Sequence, residues 1–266
     1  MFKSLESQRA VGRFAWAMAW VGLVMGQLHA LARHNTADGK EDLELPLTRA
    51  WSDPARELLS PLLGWADPDA VYLTYGKLWL PVFVAFTACA FVVYRRRRPR
   101  GFEKWAWRVA LFGYCYATVA VGAEYWTQLA DYNAIFEPVF LLSVPGILIS
   151  LLSSTVLGIT LLVKRAGMPV TGWLLAVIIP FGLAISMVTS LGSVALPMMF
   201  AFGVAGRRIA REPAAPRDPQ SLVLNAASNA ASGASNASRR TNSSASGAPT
   251  SRSIPASSHS TEMGPV

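Results

Sequence analysis

The chain has little with which to do metal or thiol chemistry: two cysteines and three histidines in 266 residues. Two cysteines exclude a disulfide framework. Cys89 and Cys115 each stand six or seven residues from a group of arginines, about 10 Å along a helix. They read as small packing residues in a reduced, apolar setting, with a reactive pair as the alternative. No glycine-rich phosphate loop precedes a Lys-Ser/Thr pair, and HExxH, CxxC and G-x-S-x-G are all missing. The chemistry those motifs supply is therefore not expected. No catalytic residue, metal or cofactor is assigned. Charge is scarce too, at 15% against 52% hydrophobic residues, a balance of membrane rather than soluble chains.

What the chain does have is long apolar runs, at about 14–32, 74–94, 106–127, 139–163 and 170–189, with a shorter one at 191–206. About 20 apolar residues cover the ~30 Å hydrocarbon core, so the fold class is all-α, a polytopic membrane bundle of six helices. Lys3, Arg9 and Arg13 precede the first run, Arg95–Arg98, Arg100, Lys104 and Arg108 follow the second, Lys164 and Arg165 the fourth, and Arg207, Arg208 and Arg211 the last. The alternate connections 124–137 and 190–193 carry no Lys or Arg, and in 33–77 acids outnumber bases. Basic residues collect in cytoplasmic loops, which puts both ends of the bundle inside. Five spans with the following segment outside is the alternative. The net charge of +8 is then orientation signal and attraction to anionic lipid, not a nucleic-acid footprint. Arginine over lysine, with abundant alanine, points to a bacterial plasma membrane. The bilayer is the expected partner, with another membrane protein or a second copy beside it.

Two flanking segments carry expectations of their own. Residues 33–73 form an outer loop, in which Asp53-Pro54 reads as the start of an amphipathic helix at about 53–63. Leu47, Trp51, Ala55, Leu58, Leu59 and Leu62 give it one apolar face, lying on the membrane or against a partner. Residues 212–266 are Ser, Ala, Asn, Gly and Pro with few large apolar side chains, the composition of a disordered cytoplasmic tail. The first run ends in Ala30-Leu31-Ala32, a possible signal-peptidase site. Its length and its stripe of small residues favour a retained helix.

That stripe is Ala15, Ala19, Gly22 and Gly26, with His29 on the same face. Small residues at four-residue steps let another helix approach closely. The third run repeats the pattern in Gly113, Ala117 and Ala120, then Glu124. His29 lies 16 residues from Arg13 and Glu124 lies 16 from Arg108, so both reach about 24 Å from the basic boundary. They are expected to meet across a helix interface, with Gln27, Tyr125 and Gln128 extending the polar patch. Ionisable groups at membrane depth are functional candidates. The alternative is a hydrogen bond that sets helix register. Ser143, Ser150, Ser153, Ser154 and Thr155 on the fourth run, with Gly146 and Gly158, read as a close-packing face. The functional expectation is a non-enzymatic, partner-binding membrane component; the alternative is a small transporter or proton-coupled carrier using Glu124 and His29.

Overall fold

The computed structural model of the chain describes residues 4–129, 134–188 and 191–212. The tail expected over 212–266 lies, but for Glu212, outside them. Among the described residues the regular structure is helical, with no strand. The elements are α1 (Leu5–Arg33), α2 (Pro46–Leu58), α3 (Ser60–Leu63), α4 (Pro68–Lys77), α5 (Trp79–Arg97), α6 (Phe102–Trp126), α7 (Phe136–Val163), α8 (Pro169–Ala176), α9 (Ile178–Ser186) and α10 (Leu196–Arg211). Short 3-10 turns cover Asp38–Glu44 and Leu191–Ala195.

Three stretches are long and apolar enough to cross a membrane: Leu5–Arg33, Pro68–Arg97 and Phe136–Val163. The pair α8 and α9, bent by 49°, makes a fourth if it is one span. The third expected span, α6, has 25 residues but is less apolar, since tryptophans, tyrosines and Glu103, Lys104 and Arg108 dilute it. The sixth, α10, has only 16 residues, about 24 Å of helix.

The prolines explain where the helices break. Proline lacks an N–H and crowds the carbonyl four residues earlier. Pro180 therefore frees the carbonyl of Ala176, where α8 ends. Pro81 frees that of Lys77, where α4 ends, and the Trp126 indole fills the gap by donating to it at 3.1 Å. The outer-loop helix also differs from expectation. It begins with Pro46 in its first turn, not at Asp53, and Pro54 lies inside it. Proline fits a first turn at no loss of hydrogen bonding, and Pro46 meets that condition eight residues sooner than Pro54.

The long helices form a ring in which α1 packs on α5, α5 on α6, α6 on α7, α7 on α8, and α8 on α10, which returns to α1. The α1–α10 seam is closest at Gly12 and Gly206, where a methyl on Gly12 would stand 2.3 Å from the Gly206 carbonyl oxygen. Gly203 faces Ala19 and the Ala15 carbonyl in the same way. Gly22 meets the Met199 thioether, and Gly26 the Trp79 ring. Ala15, Ala19, Gly22 and Gly26 are all buried, so α10, with Val82 and Trp79 of α5, occupies the stripe. In α7, Ser143, Ser150, Ser153, Ser154, Gly146 and Gly158 are buried. There Gly146 faces the Tyr116 ring, Gly158 faces the α8 backbone, and Ser154 pairs with the Tyr114 hydroxyl at 2.8 Å.

Phe202 sits at the centre of the ring, with Phe86, Trp107 and Tyr114 within 6.3 Å of it, centroid to centroid. Trp107 and Trp79 are buried, whereas Trp20, Trp105, Trp126 and Trp173 are exposed. Cys89 is buried and donates to the Phe202 carbonyl, while Cys115 is exposed, so the two thiols have different surroundings. At the arginine-rich end the loops are held by Glu103, which pairs with both Arg97 and Lys164, and by Arg97 donating to the Ala166 carbonyl at 3.1 Å.

Gly206→Val should overpack the α1–α10 seam and lower stability by about 1–3 kcal/mol, read as a lower thermal midpoint in detergent. Gly122→Ala, whose methyl meets only the flexible end of Leu80 at 3.2 Å, should leave the midpoint nearly unchanged.

Candidate functional site

At the end opposite the arginines the ring encloses a cavity of about 340 Å³. Its size falls in the range of small-molecule sites. Most of the wall is apolar, from Phe83, Ala117, Val121, Phe140, Ile147, Leu151, Val194 and Met198. The polar lining comes from His29, Arg33 and His34 of α1 and its cap, Asp42 and Thr48 of the outer loop, Tyr72 of α4, Glu124 and Tyr125 of α6, and Ser150 of α7.

The sequence places His29 here through the α1 stripe: the face that seats α10 below presents the imidazole to α4 and α5 above. The ring stacks on Tyr72 at 4.4 Å between centroids, and the edges of Tyr125 and Trp79 approach it at 5.4 and 6.2 Å. Trp79 Nε1 donates to His29 Nδ1 at 3.3 Å. Nε2 is buried without a hydrogen-bond partner among the described residues. Aromatic contacts of this kind hold a ring in one orientation.

Glu124 lies one helical step beyond Ala120 on the face of α6 that packs inward, and is 6% exposed. The hydroxyls of Tyr125 and Ser143 lie beside its carboxyl group, the Ser143 hydroxyl donating to the Phe140 carbonyl at 2.7 Å. The Tyr125 hydroxyl stands 3.3 Å from that of Tyr72, which in turn bonds Arg33. Arg33 Nε donates to Asp42 at 2.8 Å. A chain of polar contacts thus runs from the outer loop through Arg33, Tyr72 and Tyr125 to Glu124, along one side of His29. His29 and Glu124 line the same cavity, connected through Tyr125 and not by a direct bond.

The other expected neighbours divide. Tyr125 is in the lining. Gln27 is only partly buried, two positions from His29 and so turned off its face. Gln128 is buried beyond the end of α6, outside the lining, where it donates to Thr127 at 3.0 Å. Sequence reasoning missed Tyr72, Trp79, Arg33 and His34. The same depth argument that picked out Glu124 applies to Trp79, which stands 16 residues from Arg95. Helical periodicity alone puts His34, five residues after His29, on a different face of the helix; the α1 helix ends at Arg33, and past the end the chain turns inward.

Ser150 Oγ and both ring nitrogens of His34 are also buried without partners among the described residues. His34 packs against Trp51, whose indole N–H donates to the Val188 carbonyl just past α9. That bond ties the outer loop to the end of the broken helix. No group of three or more His, Cys, Asp or Glu among the described residues is arranged to hold a metal. Comparison of the chain with protein-family models, curated proteins and solved structures finds no match.

Burial pushes the His34 imidazole below its ordinary value; Arg56 and Arg33 act in the same direction, while Asp42 and Asp53 oppose them. A histidine depressed on folding favours the folded state while it is neutral and opposes it as pH falls below the ordinary imidazole range, about 6.5. Stability should therefore drop between pH 7.5 and pH 5. In His34→Gln the drop in thermal midpoint over that interval should be smaller.

Proposed function

We propose that this chain is a six-span plasma-membrane protein with both ends of its bundle in the cytoplasm, and that it binds a small, mainly apolar molecule in the cavity beneath its outer loop. The observation that carries the ligand reading is the cavity of about 340 Å³, polar on one side and apolar on the others. Intramembrane ionisable groups facing an enclosed space are the pattern of substrate and ion pathways. A small carrier that handles its ligand at His29 and Glu124 is the activity this arrangement supports best, and the break between α8 and α9 supplies the kind of interrupted helix found beside transported ligands.

Orientation rests on the arginines, which cluster at one end of the bundle and hold its turns there, while the cavity and the acid-rich loop occupy the other. In this reading α6 spans on the strength of its 25-residue length despite its polar start. The short α10 spans with Arg207, Arg208 and Arg211 reaching to the headgroups.

A non-enzymatic partner-binding role, with another membrane protein or a second copy, is the second reading. It is favoured by Leu47, Leu58 and Leu62, which remain 63%, 80% and 47% exposed on the outer loop. The small-residue stripe of α1 no longer argues for an outside partner, because α10 covers it.

Two measurements test these readings. Single cysteines placed at Glu44 or Leu129, in a chain with Cys89 and Cys115 replaced by serine, should react with an impermeant maleimide on intact cells. Cysteines at Arg98 or Ala166 should react only after permeabilisation; the reverse pattern refutes the orientation. Native mass spectrometry of protein extracted from its own membrane should reveal a bound small-molecule mass that disappears in Val121→Trp, which fills the cavity. An added mass retained by that variant, or none in the parent, counts against the cavity.

A further inference from the structure

The cavity presents one hydrogen-bond donor whose identity follows from its neighbour. The indole Nε1–H of Trp79 can only donate, and it points at Nδ1 of His29 at 3.3 Å. Nδ1 must therefore carry a lone pair, and a neutral imidazole then holds its proton on Nε2. That Nε2–H is buried, has no acceptor among the described residues, and belongs to a ring that lines the cavity. Its residue is 3% exposed. Flipping the ring over would forfeit the bond from Trp79, and any smaller turn would break its stack on Tyr72. A buried donor without an acceptor is costly, and most such groups in folded proteins are satisfied by something.

We infer that the cavity takes a neutral, largely apolar molecule that places a carbonyl-type acceptor oxygen on Nε2 of His29. This rests on the ligand-binding reading above and narrows it to a chemical class. The charges around the cavity favour a neutral guest. Arg33 is already paired with Asp42, so among the lining residues no uncommitted arginine or lysine faces an anionic head group. The Glu124 carboxyl group has the hydroxyls of Tyr125 and Ser143 beside it, polar neighbours that solvate it without a cation from the ligand. The walls formed by Phe83, Val121, Leu151 and Met198 match an apolar body. Ser150, with its unpartnered hydroxyl in the same lining, offers a second polar contact on the α7 side.

9-Fluorenone and fluorene test this directly, since they share a flat shape and differ by one carbonyl oxygen. With the full chain in lipid nanodiscs, fluorenone should bind about tenfold more tightly than fluorene, the ratio expected when a buried donor gains an acceptor. It should also move the ¹⁵N resonance of the protonated nitrogen in histidine-labelled protein. His29→Phe keeps a ring on Tyr72 but removes the donor, and should bind the two equally. Trp79→Phe frees Nδ1 to take the proton and should narrow the preference. Equal binding of both compounds to the parent chain overturns the acceptor inference while leaving the cavity reading in place. Binding of neither overturns both. A tenfold preference that survives His29→Phe removes His29 from ligand recognition.

Discussion

Hydrocarbon gives apolar helices no reason to leave it for one another, so a membrane bundle needs contacts that lipid cannot match. In this chain one such contact is between α1 and α10, where Gly12 and Gly206 bring two backbones together with no side chain between them. The seam then widens along α1. At Gly22 a methionine side chain intervenes, and at Gly26 the Trp79 ring of the neighbouring α5. The helices are joined most closely at the arginine-rich end and spread toward the other. That taper leaves room for a cavity at the far end, and it brings the last turn of α1, with His29 and Arg33, to the cavity wall.

The wall is specified by pairwise chemistry more than by bulk. Tyr72, Tyr125 and Trp79 arrive from three different helices, and each uses its polar atom on a neighbour while its ring faces His29. Broken backbone is handled in the same economical way: the Lys77 carbonyl released by Pro81 is taken by the Trp126 indole, so the junction between α4 and α5 needs no water. This is how proline is tolerated in membrane helices generally. The Trp51 bond to Val188 extends the arrangement to the outer loop, which is thereby fixed to the end of α9 as well as to α1.

Much of this was legible in the sequence, for identifiable reasons. Apolar runs and small residues at four-residue steps are local signals, and they located α1, α5 and α7 and the buried faces of α1, α6 and α7. Counting residues from the arginines put His29 and Glu124 at one depth, because rise per residue is constant in a helix. What was not legible depends on contacts between distant segments. Periodicity in α1 does not say that α10 will cover it, and the sequence around Asp53-Pro54 does not disclose that Pro46 has already begun the helix. Only the fold brings Tyr72 and Trp79 onto His29. His34 was set aside by helical geometry that ends one residue before it.

The α1–α10 seam also has a consequence for the order of assembly. Its two halves are separated by nearly the whole bundle in the chain, and synthesis runs from the N-terminus. In the six-span reading proposed above, α1 enters the membrane during translation with its glycine face open, and stays so until α10 has been made. The ring of helices cannot close before that moment. In the interval the open face is available to other small-residue helices, including the α1 of a second nascent chain, so fidelity depends on how quickly the last helix follows the first.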